Sequence, residues 1–341
     1  MNRHILIDGN NLLHRAFHVF VAVSAEDELC GRQAHQQRFE SDSGYPTGMI
    51  YGPLSMLADW MPALGRFNAI HFFNDGSPTR RRALDPTYKQ REPDRASLGD
   101  LPDREIKLPD GFEAKNEVQV LMHLLQLLGV NVYWDPNEEA DDLIASFIRK
   151  HQDDVHVIVS SDKDFFQLLT NPRVVVYRPG ASGPRLLDAE GASAHWATLN
   201  KGKHPPIPAE HVRMFKSLCG DASDSIVGIH RLRKKIAAAV CGSESVDKLM
   251  ADDWPGFSDT ERLHAREFAD RIKLNWQLVG LFDDLPVEPL RSVRPDVEVA
   301  EQVLNLLNIR LDMSFLTPGQ ERMRVADVPA KVLGDDWMNS I

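Results

Sequence analysis

Three acidic clusters and two isolated aspartates have the chemistry to hold hard metal ions. The clusters are residues 138–142 (EEADD), 160–164 (SSDKD) and 220–225 (GDASDS), and the isolated residues are Asp8 and Asp75. Each cluster alone is also typical of helix capping or of a strand-to-helix turn. Carboxylates that are brought together repel one another, however, unless they take up protons or a cation.

The type of donor selects the ion and the chemistry. Oxygen ligands without a neighbouring Cys or His favour Mg²⁺ or Mn²⁺ over zinc. Two such ions about 4 Å apart commonly hydrolyse phosphodiester bonds, one activating water and the other stabilising the leaving oxygen. The acids therefore indicate phosphodiester hydrolysis if the fold brings them together.

Positive charge is concentrated in two stretches, although the chain as a whole is acidic. The 341 residues include 39 Lys and Arg against 50 Asp and Glu, a formal net charge of −11. Residues 78–91 nevertheless carry five cations and one acid, and residues 229–236 carry four cations and no acid. Such patches beside an acidic cluster suggest contact with a phosphate backbone.

Composition excludes several classes of protein. A hydrophobic content of 43% indicates an ordered globular chain rather than a disordered one. Three cysteines without a CxxC pair argue against a disulfide framework and against a cysteine zinc site. We expect neither a signal peptide nor a membrane span, because no apolar run is long enough.

The elements that must position these residues alternate between strands and helices in the first half of the chain. The predicted strands are residues 4–7, 69–73, 130–134, 155–159 and 174–177. The predicted helices between them are residues 47–61, 112–128 and 138–151. The strands are almost unbroken apolar runs, which is typical of parallel strands buried on both faces. We therefore predict an α/β domain with a central, mostly parallel sheet, and we expect the acids at the strand ends to converge at one edge.

The second half of the chain is helical by its pattern. Helices are predicted at residues 209–218, 223–240, 243–250, 259–282 and 297–307. We expect a catalytic α/β domain over residues 1–207, with a proline-rich arch region at about 77–109. A smaller helical domain then covers residues 208–290, and residues 291–341 form a C-terminal extension.

Six segments between residues 4 and 240 resemble, in order, the 5′-nuclease family of phage flap endonucleases, 5′-3′ exonucleases and the nuclease domain of bacterial DNA polymerase I. They are residues 5–18 (ILIDGNNLLHRAFH), 72–76 (FFNDG), 80–91 (RRRALDPTYKQR), 139–142 (EADD), 161–165 (SDKDF) and 220–224 (GDASD). The resemblance implies a PIN-like fold with a helix-hairpin-helix-type domain. It also implies a stand-alone, metal-dependent 5′-3′ exonuclease and structure-specific flap endonuclease of DNA replication or repair, with the RNA of RNA–DNA hybrids as a further substrate.

The resemblance assigns nine carboxylates to two sites for Mg²⁺ or Mn²⁺. The first site would comprise Asp8, Asp75, Glu139 and Asp141, with Asp142 close by, and the second Asp162, Asp164, Asp221 and Asp224. Lys89 would lie over the scissile phosphate and stabilise its developing charge. The catalytic residues expected are Lys89, Asp8, Asp75, Asp141 and Asp162.

The resemblance also implies contacts with DNA from both cationic stretches and from the segment after Asp8. The residues expected to make them are Arg15, Phe17, Arg80, Arg81, Arg82, Tyr88, Arg91, Arg231, Arg233, Lys234 and Lys235. For Phe17, stacking on a base and a buried structural role are both open. Arg80, Arg81 and Arg82 would line the arch through which a single-stranded 5′ end passes.

The hairpin of the helical domain departs from the family pattern. Residues 228–235 (GIHRLRKK) keep the first glycine, but Arg231 and Arg233 stand where the family has glycines. Glycines let backbone amides approach a phosphate, so a K⁺-bridged phosphate site is not expected here. Side-chain contacts from these arginines, with Lys234 and Lys235, would replace it and make duplex binding more salt-dependent.

Two other functions stay open at this point. One is a PIN-like ribonuclease, although such proteins are shorter and carry fewer acids; the other is a non-catalytic DNA-junction binding protein, which would have no need of a complete acid set. For the nuclease, the expected partner is DNA with a 5′ single-stranded arm or flap. We expect the protein to be a monomer in the cytoplasm of a bacterial or phage-infected cell. Its C-terminal tail is expected to contact a replication protein.

Overall fold

A six-stranded sheet lies at the centre of the computed structural model. The structure describes residues 1–21, 23–24, 39–90, 106–107, 114–180, 185–199, 205–229 and 232–316. The sheet strands are β1 (Arg3–Asp8), β2 (Ala69–Asn74), β3 (Asn131–Trp134), β4 (Val155–Val159), β5 (Val174–Arg178) and β6 (Arg185–Leu187). Their order is β3-β2-β1-β4-β5-β6. The first five are parallel to their neighbours, as predicted, and β6 is an antiparallel edge strand that the sequence pattern did not predict.

The central strands are apolar because they are buried on both faces. Every residue of β1 and of β4 is buried, and such strands read as continuous apolar runs rather than alternating ones. In the register of the sheet, Asp8 lies opposite Phe73 and Ile7 opposite Val159. The carboxyl ends of β1, β2 and β4 therefore meet at one edge, which is where a ligand crevice forms in open parallel sheets.

Twelve α-helices surround the sheet in the described part of the chain. They are α1 (Gly9–Ala16), α2 (Gly48–Leu64), α3 (Thr79–Leu84), α4 (Ala114–Leu127), α5 (Ala140–Lys150), α6 (Ala189–Leu199), α7 (Val212–Cys219), α8 (Arg233–Cys241), α9 (Val246–Ala251), α10 (Asp259–Glu267), α11 (Ala269–Val279) and α12 (Val297–Leu306). A π-helical turn (Phe17–Val21) extends α1, and 3₁₀ turns cover Asp164–Thr170, Ala209–His211 and Met313–Leu316. Val23–Ser24 and Ile106–Lys107 pair as a separate antiparallel ribbon.

Two apolar cores, one on each face of the sheet, hold these helices in place. One core joins Phe147 of α5 to Phe215 of α7 and continues to Ile236 and Trp254. The other packs α1, α2 and α4 against the opposite face and includes Leu304 of α12. The helices after residue 208 thus share a core with the sheet, and α12 packs on the sheet side although it belongs to the predicted extension. The proposed domain limits themselves stay a prediction.

Two predicted helices are interrupted in the structure. Residues 221–226 form a turn closed by backbone hydrogen bonds between Asp221 and Ile226, so the helix predicted over residues 223–240 begins only at Arg233. The helix predicted over residues 259–282 is two helices that meet at Phe268. Among the described helices, none has both the length and the apolar composition that crossing a bilayer requires.

Candidate active site

Two aspartates at strand ends are fixed by hydrogen bonds from neighbouring elements. Asp8 ends β1 and caps α1, its Oδ1 accepting the Asn11 amide at 3.0 Å, while its Oδ2 accepts the Ser160 hydroxyl at 2.7 Å. Asp75 follows β2, and its Oδ1 accepts the Ala140 amide of α5 at 2.7 Å. Both carboxylates therefore lie at helix N-termini, where negative charge is favoured.

Six further carboxylates form two tight groups at the same edge. In each group one ligand oxygen per residue lies within 4.8 Å of the others. The first group is Glu139, Asp141 and Asp142, and the second is Asp164, Asp221 and Asp224. Asp8, Asp75 and Asp162 lie outside these groups but close enough for their charges to act on the acids within them.

A glycine at the start of each connecting turn brings the chain in close. A side chain at Gly76, next to Asp75, would overlap the carbonyl oxygen of Asp135. Gly220 has φ of 71°, in the left-handed region that favours glycine, and ends α7 so that Asp221 enters the site. The tight turns in these two motifs are thus a requirement of the site's geometry.

Lys89 connects the two carboxylate groups. Its Nζ lies 2.5 Å from Glu139 Oε1 and 3.8 Å from Asp224 Oδ1. Its backbone N–H donates to the Asp224 carbonyl at 3.0 Å, and its φ of 48° is uncommon for a residue with a side chain. The structure therefore brings the predicted catalytic lysine to the acids and holds it there through an unusual backbone conformation.

Lys216 lies within the second carboxylate group and was not predicted. Its Nζ contacts Asp164 and lies 2.6 Å from Asp221 Oδ2. The residue stands on α7 among buried apolar neighbours, one turn before Gly220. A lysine in an otherwise apolar helical stretch was the only signal for it in the sequence.

Burial shifts Asp8 and Asp75 toward their protonated forms. Burial raises the pKa of Asp8 to about 7, and the charges of Asp162 and Asp141 add to the effect. Burial likewise raises the pKa of Asp75 to about 7, although Lys89 opposes it. A bound cation would relieve this cost, since it favours the ionised form.

The second group combines opposite shifts. Burial raises the pKa of Asp164 to about 7 and that of Asp224 to about 6. Burial also acts on Asp221, but Lys216 outweighs it and lowers the pKa of Asp221 to about 2. The donors of both groups are all carboxylate oxygens, which fit a hard divalent cation.

Arg81 does not line a DNA path as predicted, because its guanidinium is buried in the fold. Its five N–H groups are all used: Nε donates to the Leu278 carbonyl, Nη1 to Glu139 Oε2 at 2.6 Å and to Asp142, and Nη2 to Asp142 Oδ1 at 2.8 Å and the Gly280 carbonyl at 2.9 Å. A guanidinium has five donors and no more. Arg81 therefore joins the first carboxylate group to the end of α11.

Asp142 is correspondingly the buried partner of Arg81. Its Oδ1 also accepts the Phe282 amide at 2.8 Å, and its Oδ2 accepts from Arg81 Nη1. With its side chain 1% exposed, both oxygens are engaged by protein donors. Its oxygens nevertheless lie within the first carboxylate group, and a contribution of Asp142 to the metal site stays a prediction.

Tyr88 and Phe17 are likewise core residues. Tyr88 is 2% exposed and packs against Ile226, Leu278 and Val279. Phe17 is 2% exposed and belongs to the core between α1 and α2. Neither aromatic ring is available to DNA, since burial of its apolar surface is what holds it in place. For Phe17 the structural alternative is the one that the structure supports.

A cleft of about 530 Å³ opens beside the first group, lined in part by Asp75, Glu139, Lys89 and the exposed Arg82. Arg80 is partly exposed and pairs with Asp284 at 2.9 Å. Of the three consecutive arginines, Arg82 is thus exposed to solvent, Arg80 is partly exposed and Arg81 is buried.

The remaining predicted DNA contacts are also cationic residues. Arg15 is half-buried and donates to the Pro179 carbonyl at 3.2 Å. Arg233 and Lys234 are exposed at the start of α8, whereas Lys235 is held by Glu261 at 2.6 Å. Arg91 and Arg231 lie outside the described residues.

Comparison with known proteins identifies the family. Residues 3–197, more than half of the chain, match the model of the 5′-3′ exonuclease, N-terminal resolvase-like domain. The chain belongs to this family. A 5′-3′ exonuclease of Aquifex aeolicus is 25% identical over 311 residues, which cover 89% of this chain and 92% of the relative. DNA polymerase I of Bacillus subtilis is 26% identical over 294 residues, covering 83% of this chain but only 28% of the polymerase.

Solved structures of bacteriophage T5 nucleases have a fold similar to that of this chain. The bacteriophage T5 D15 flap endonuclease, in a complex with DNA and metal ions, matches with a TM-score of 0.56 and 15% identity, covering 90% of this chain and 99% of that one. The T5 5′-exonuclease with bound zinc matches with a TM-score of 0.54 and 16% identity over 82% of this chain and 90% of that one. The predictions of the 5′-nuclease family, the α/β fold and nuclease activity are confirmed.

Proposed function

We propose that this family member hydrolyses DNA phosphodiester bonds with two bound Mg²⁺ or Mn²⁺ ions, as a 5′-3′ exonuclease and as an endonuclease at 5′ flaps. The observation that carries the proposal is the pair of carboxylate groups at one sheet edge, joined by Lys89. Two groups of oxygen donors at one edge are suited to two hard ions. The DNA and metal ions bound by the T5 flap endonuclease are consistent with it.

The residues would divide between two ions as follows. The first ion would be held by Glu139 and Asp141 with Asp8 and Asp75, and the second by Asp164, Asp221 and Asp224 with Asp162. Bound divalent ions would supply a nucleophilic water at neutral pH and offset charge on the phosphate oxygens.

Lys89 supplies a positive charge next to the reacting phosphate. Its side chain is 26% exposed and borders the cleft, whereas its partner Glu139 is buried. The backbone hydrogen bond to Asp224 fixes the position of the Lys89 backbone, from which this side chain extends. An ammonium group held in place before the substrate arrives stabilises the charge that develops on the phosphate.

Exposed cations on either side of the acids would position the DNA backbone. Arg82 and Arg80 lie on or beside α3, near the cleft, and Arg233 and Lys234 begin α8. Phosphate contacts of this kind set register and orientation without reading sequence. Contacts from Arg91 and Arg231, a monomeric state, a cytoplasmic location and binding of a replication protein stay predictions.

The experiment is a cleavage assay with matched substrates. The purified chain is incubated with a 5′-labelled flap DNA, a 5′-labelled single-stranded DNA and the RNA version of each, in Mg²⁺ or in EDTA. Asp141→Asn serves as the matched control, because it removes one ligand charge and keeps the shape of the side chain. We expect cleavage of the DNA substrates in Mg²⁺, with none in EDTA or by the variant.

Other outcomes of this assay would contradict the proposal in different ways. Cleavage of RNA but not of DNA would contradict the DNA assignment and indicate the ribonuclease. Tight binding of flap DNA without cleavage in Mg²⁺ or Mn²⁺ would contradict catalysis and indicate a junction-binding protein. Cleavage that persists in EDTA would contradict the metal requirement.

A further inference from the structure

The ammonium group of Lys216 lies inside the second carboxylate group rather than at its rim. Nζ contacts Asp164 and lies 2.6 Å from Asp221 Oδ2, and the side chain is 10% exposed. By comparison, Lys89 is 26% exposed and opens onto the cleft. Lys216 therefore has the acids themselves as its partners and little access to a substrate.

The fold holds Lys216 in this position through its helix. Met214, Phe215 and Leu218 on the same helix are buried in the apolar core, which fixes the rotation of α7. The Lys216 carbonyl accepts the Gly220 amide at 2.8 Å, so the same residue closes the turn that carries Asp221. The ammonium group and Asp221 are thus held by one helix and the turn that follows it.

Lys216 forms ion pairs with two carboxylates at once. Its Nζ lies between Asp164, which begins the 3₁₀ turn after β4, and Asp221, which follows α7. A charged ammonium between two carboxylates removes most of their mutual repulsion. The second group is consequently partly neutralised by the chain itself.

We propose that Lys216 is a built-in counter-cation of the second carboxylate group, which holds Asp164 and Asp221 together without metal and weakens divalent-ion binding there. The proposal rests on the proposed function, in which both groups bind divalent ions. Its consequence is that removing the ammonium group changes the affinity for the ion at the second group. The first group has its own cations, Lys89 and Arg81, and should keep its affinity when Lys216 is replaced.

The expected size of the effect follows from the charges. A divalent ion and an ammonium about 5 Å apart repel one another enough, even at the dielectric constant of water, to change an affinity on the order of tenfold. Removing the ammonium should therefore tighten binding at the second group by about tenfold. A residue that only stabilised the fold would weaken metal binding when removed.

The test is Mn²⁺ binding to the full chain, measured by isothermal titration calorimetry and by electron paramagnetic resonance after removal of metals. Lys216→Met keeps the length of the side chain and removes its charge. Lys216→Arg keeps the charge at the same position. Lys150→Met makes the same chemical change at a lysine whose carboxylate partner, Glu288, lies outside the site.

We expect the same Mn²⁺ affinities in the wild-type chain and in the charge-conserving variant Lys216→Arg. In Lys216→Met the affinity for one of the two ions should tighten about tenfold, and the metal-free protein should melt several degrees lower and recover with Mn²⁺. Lys150→Met should bind Mn²⁺ as the wild type does. If Lys216→Met does not fold without metal, refolding it in Mn²⁺ and measuring Mn²⁺ dissociation gives the same comparison.

Two results would overturn the inference, and they are distinguishable. Mn²⁺ affinities in Lys216→Met that are unchanged or reduced contradict the role of Lys216 and leave the proposed function intact. A wild-type chain that binds no Mn²⁺ contradicts the proposed function itself, and the inference with it.

Discussion

Replacing Arg81 with alanine separates a structural role of this arginine from a role in binding DNA. The side chains of Arg81, Glu139 and Asp142 are 3%, 4% and 1% exposed, so the substitution removes the cation from a buried cluster of charges. Removing one partner of a buried ion pair costs about 3–5 kcal/mol, because it leaves an uncompensated charge. The carbonyl oxygens of Leu278 and Gly280 would also lose a donor.

The assay is urea unfolding of metal-free Arg81→Ala and Arg82→Ala, followed by circular dichroism. Arg81→Ala should lose about 3–5 kcal/mol of unfolding free energy. Arg82 is exposed, with a single 3.4 Å hydrogen bond to Ser77, and Arg82→Ala should stay within about 0.5 kcal/mol of the wild type. The adjacent arginine is thus a matched control for charge and for side-chain size.

For the salt dependence of DNA binding, we expect the larger effect from Arg82→Ala and the smaller one from Arg81→Ala. Arg82→Ala should flatten the slope of log affinity against log salt by about one unit, because one phosphate contact is lost. Arg81→Ala should keep the wild-type slope at a temperature where it is folded. An Arg81→Ala protein with wild-type stability and a flattened slope would refute the reasoning and restore Arg81 to the DNA surface.

Three further predictions concern the acids, Lys89 and the helical region. The affinity for Mg²⁺ should rise with pH up to about 7 and then become constant, because Asp8 and Asp75 must release protons on binding and burial raises the pKa of each to about 7. Calorimetry in buffers of different ionisation enthalpy measures this proton release, and equal Mg²⁺ affinities at low and high pH would contradict the prediction. Lys89→Ala should lower the single-turnover rate at saturating DNA by about 10²–10³-fold, whereas a wild-type rate would exclude a catalytic role. The double variant of Arg233→Ala and Lys234→Ala should flatten the salt slope for duplex DNA by about two units; an unchanged slope would mean that the duplex binds elsewhere.

The sheet and the meeting of the acids were predictable from the sequence for a simple reason. Parallel strands buried on both faces are continuous apolar runs, and their carboxyl ends lie on one edge whatever the loops between them do. An acid such as Asp8 or Asp75 directly after a strand is therefore placed by topology alone. The edge strand β6 was missed because it has only three residues (Arg185–Leu187) and two of them are not buried.

The roles of neighbouring charged residues were not predictable in the same way. Arg80, Arg81 and Arg82 are alike in sequence, but successive residues of a helix point about 100° apart, and only Arg81 faces the acids. Asp141 and Asp142 are also successive residues of a helix and point in different directions, and the side chain of Asp142 points toward Arg81. Which of several identical side chains is buried depends on the packing of α3 against α11.

The prediction of one helix over residues 223–240 was wrong because tertiary structure overrides local helix propensity in this segment. Backbone hydrogen bonds between Asp221 and Ile226 close a turn there, and Gly228 approaches the Cys219 backbone where a side chain would overlap. The turn brings Asp221 and Asp224 to the site. Lys216 was missed because nothing in the sequence shows that its helix face points at carboxylates.

The central claim, hydrolysis by two groups of metal-binding carboxylates, is tested most directly by the single-turnover cleavage rate of a 5′-flap DNA at saturating enzyme in Mg²⁺. The rate is compared for the wild type, Asp141→Asn and Asp162→Asn, one variant for each site. If each variant loses a metal interaction worth several kcal/mol, its rate should fall by about 10³-fold or more, with circular dichroism and DNA affinity close to the wild type. A rate within about tenfold of the wild type for either variant, in protein that is folded and binds DNA, would contradict the account.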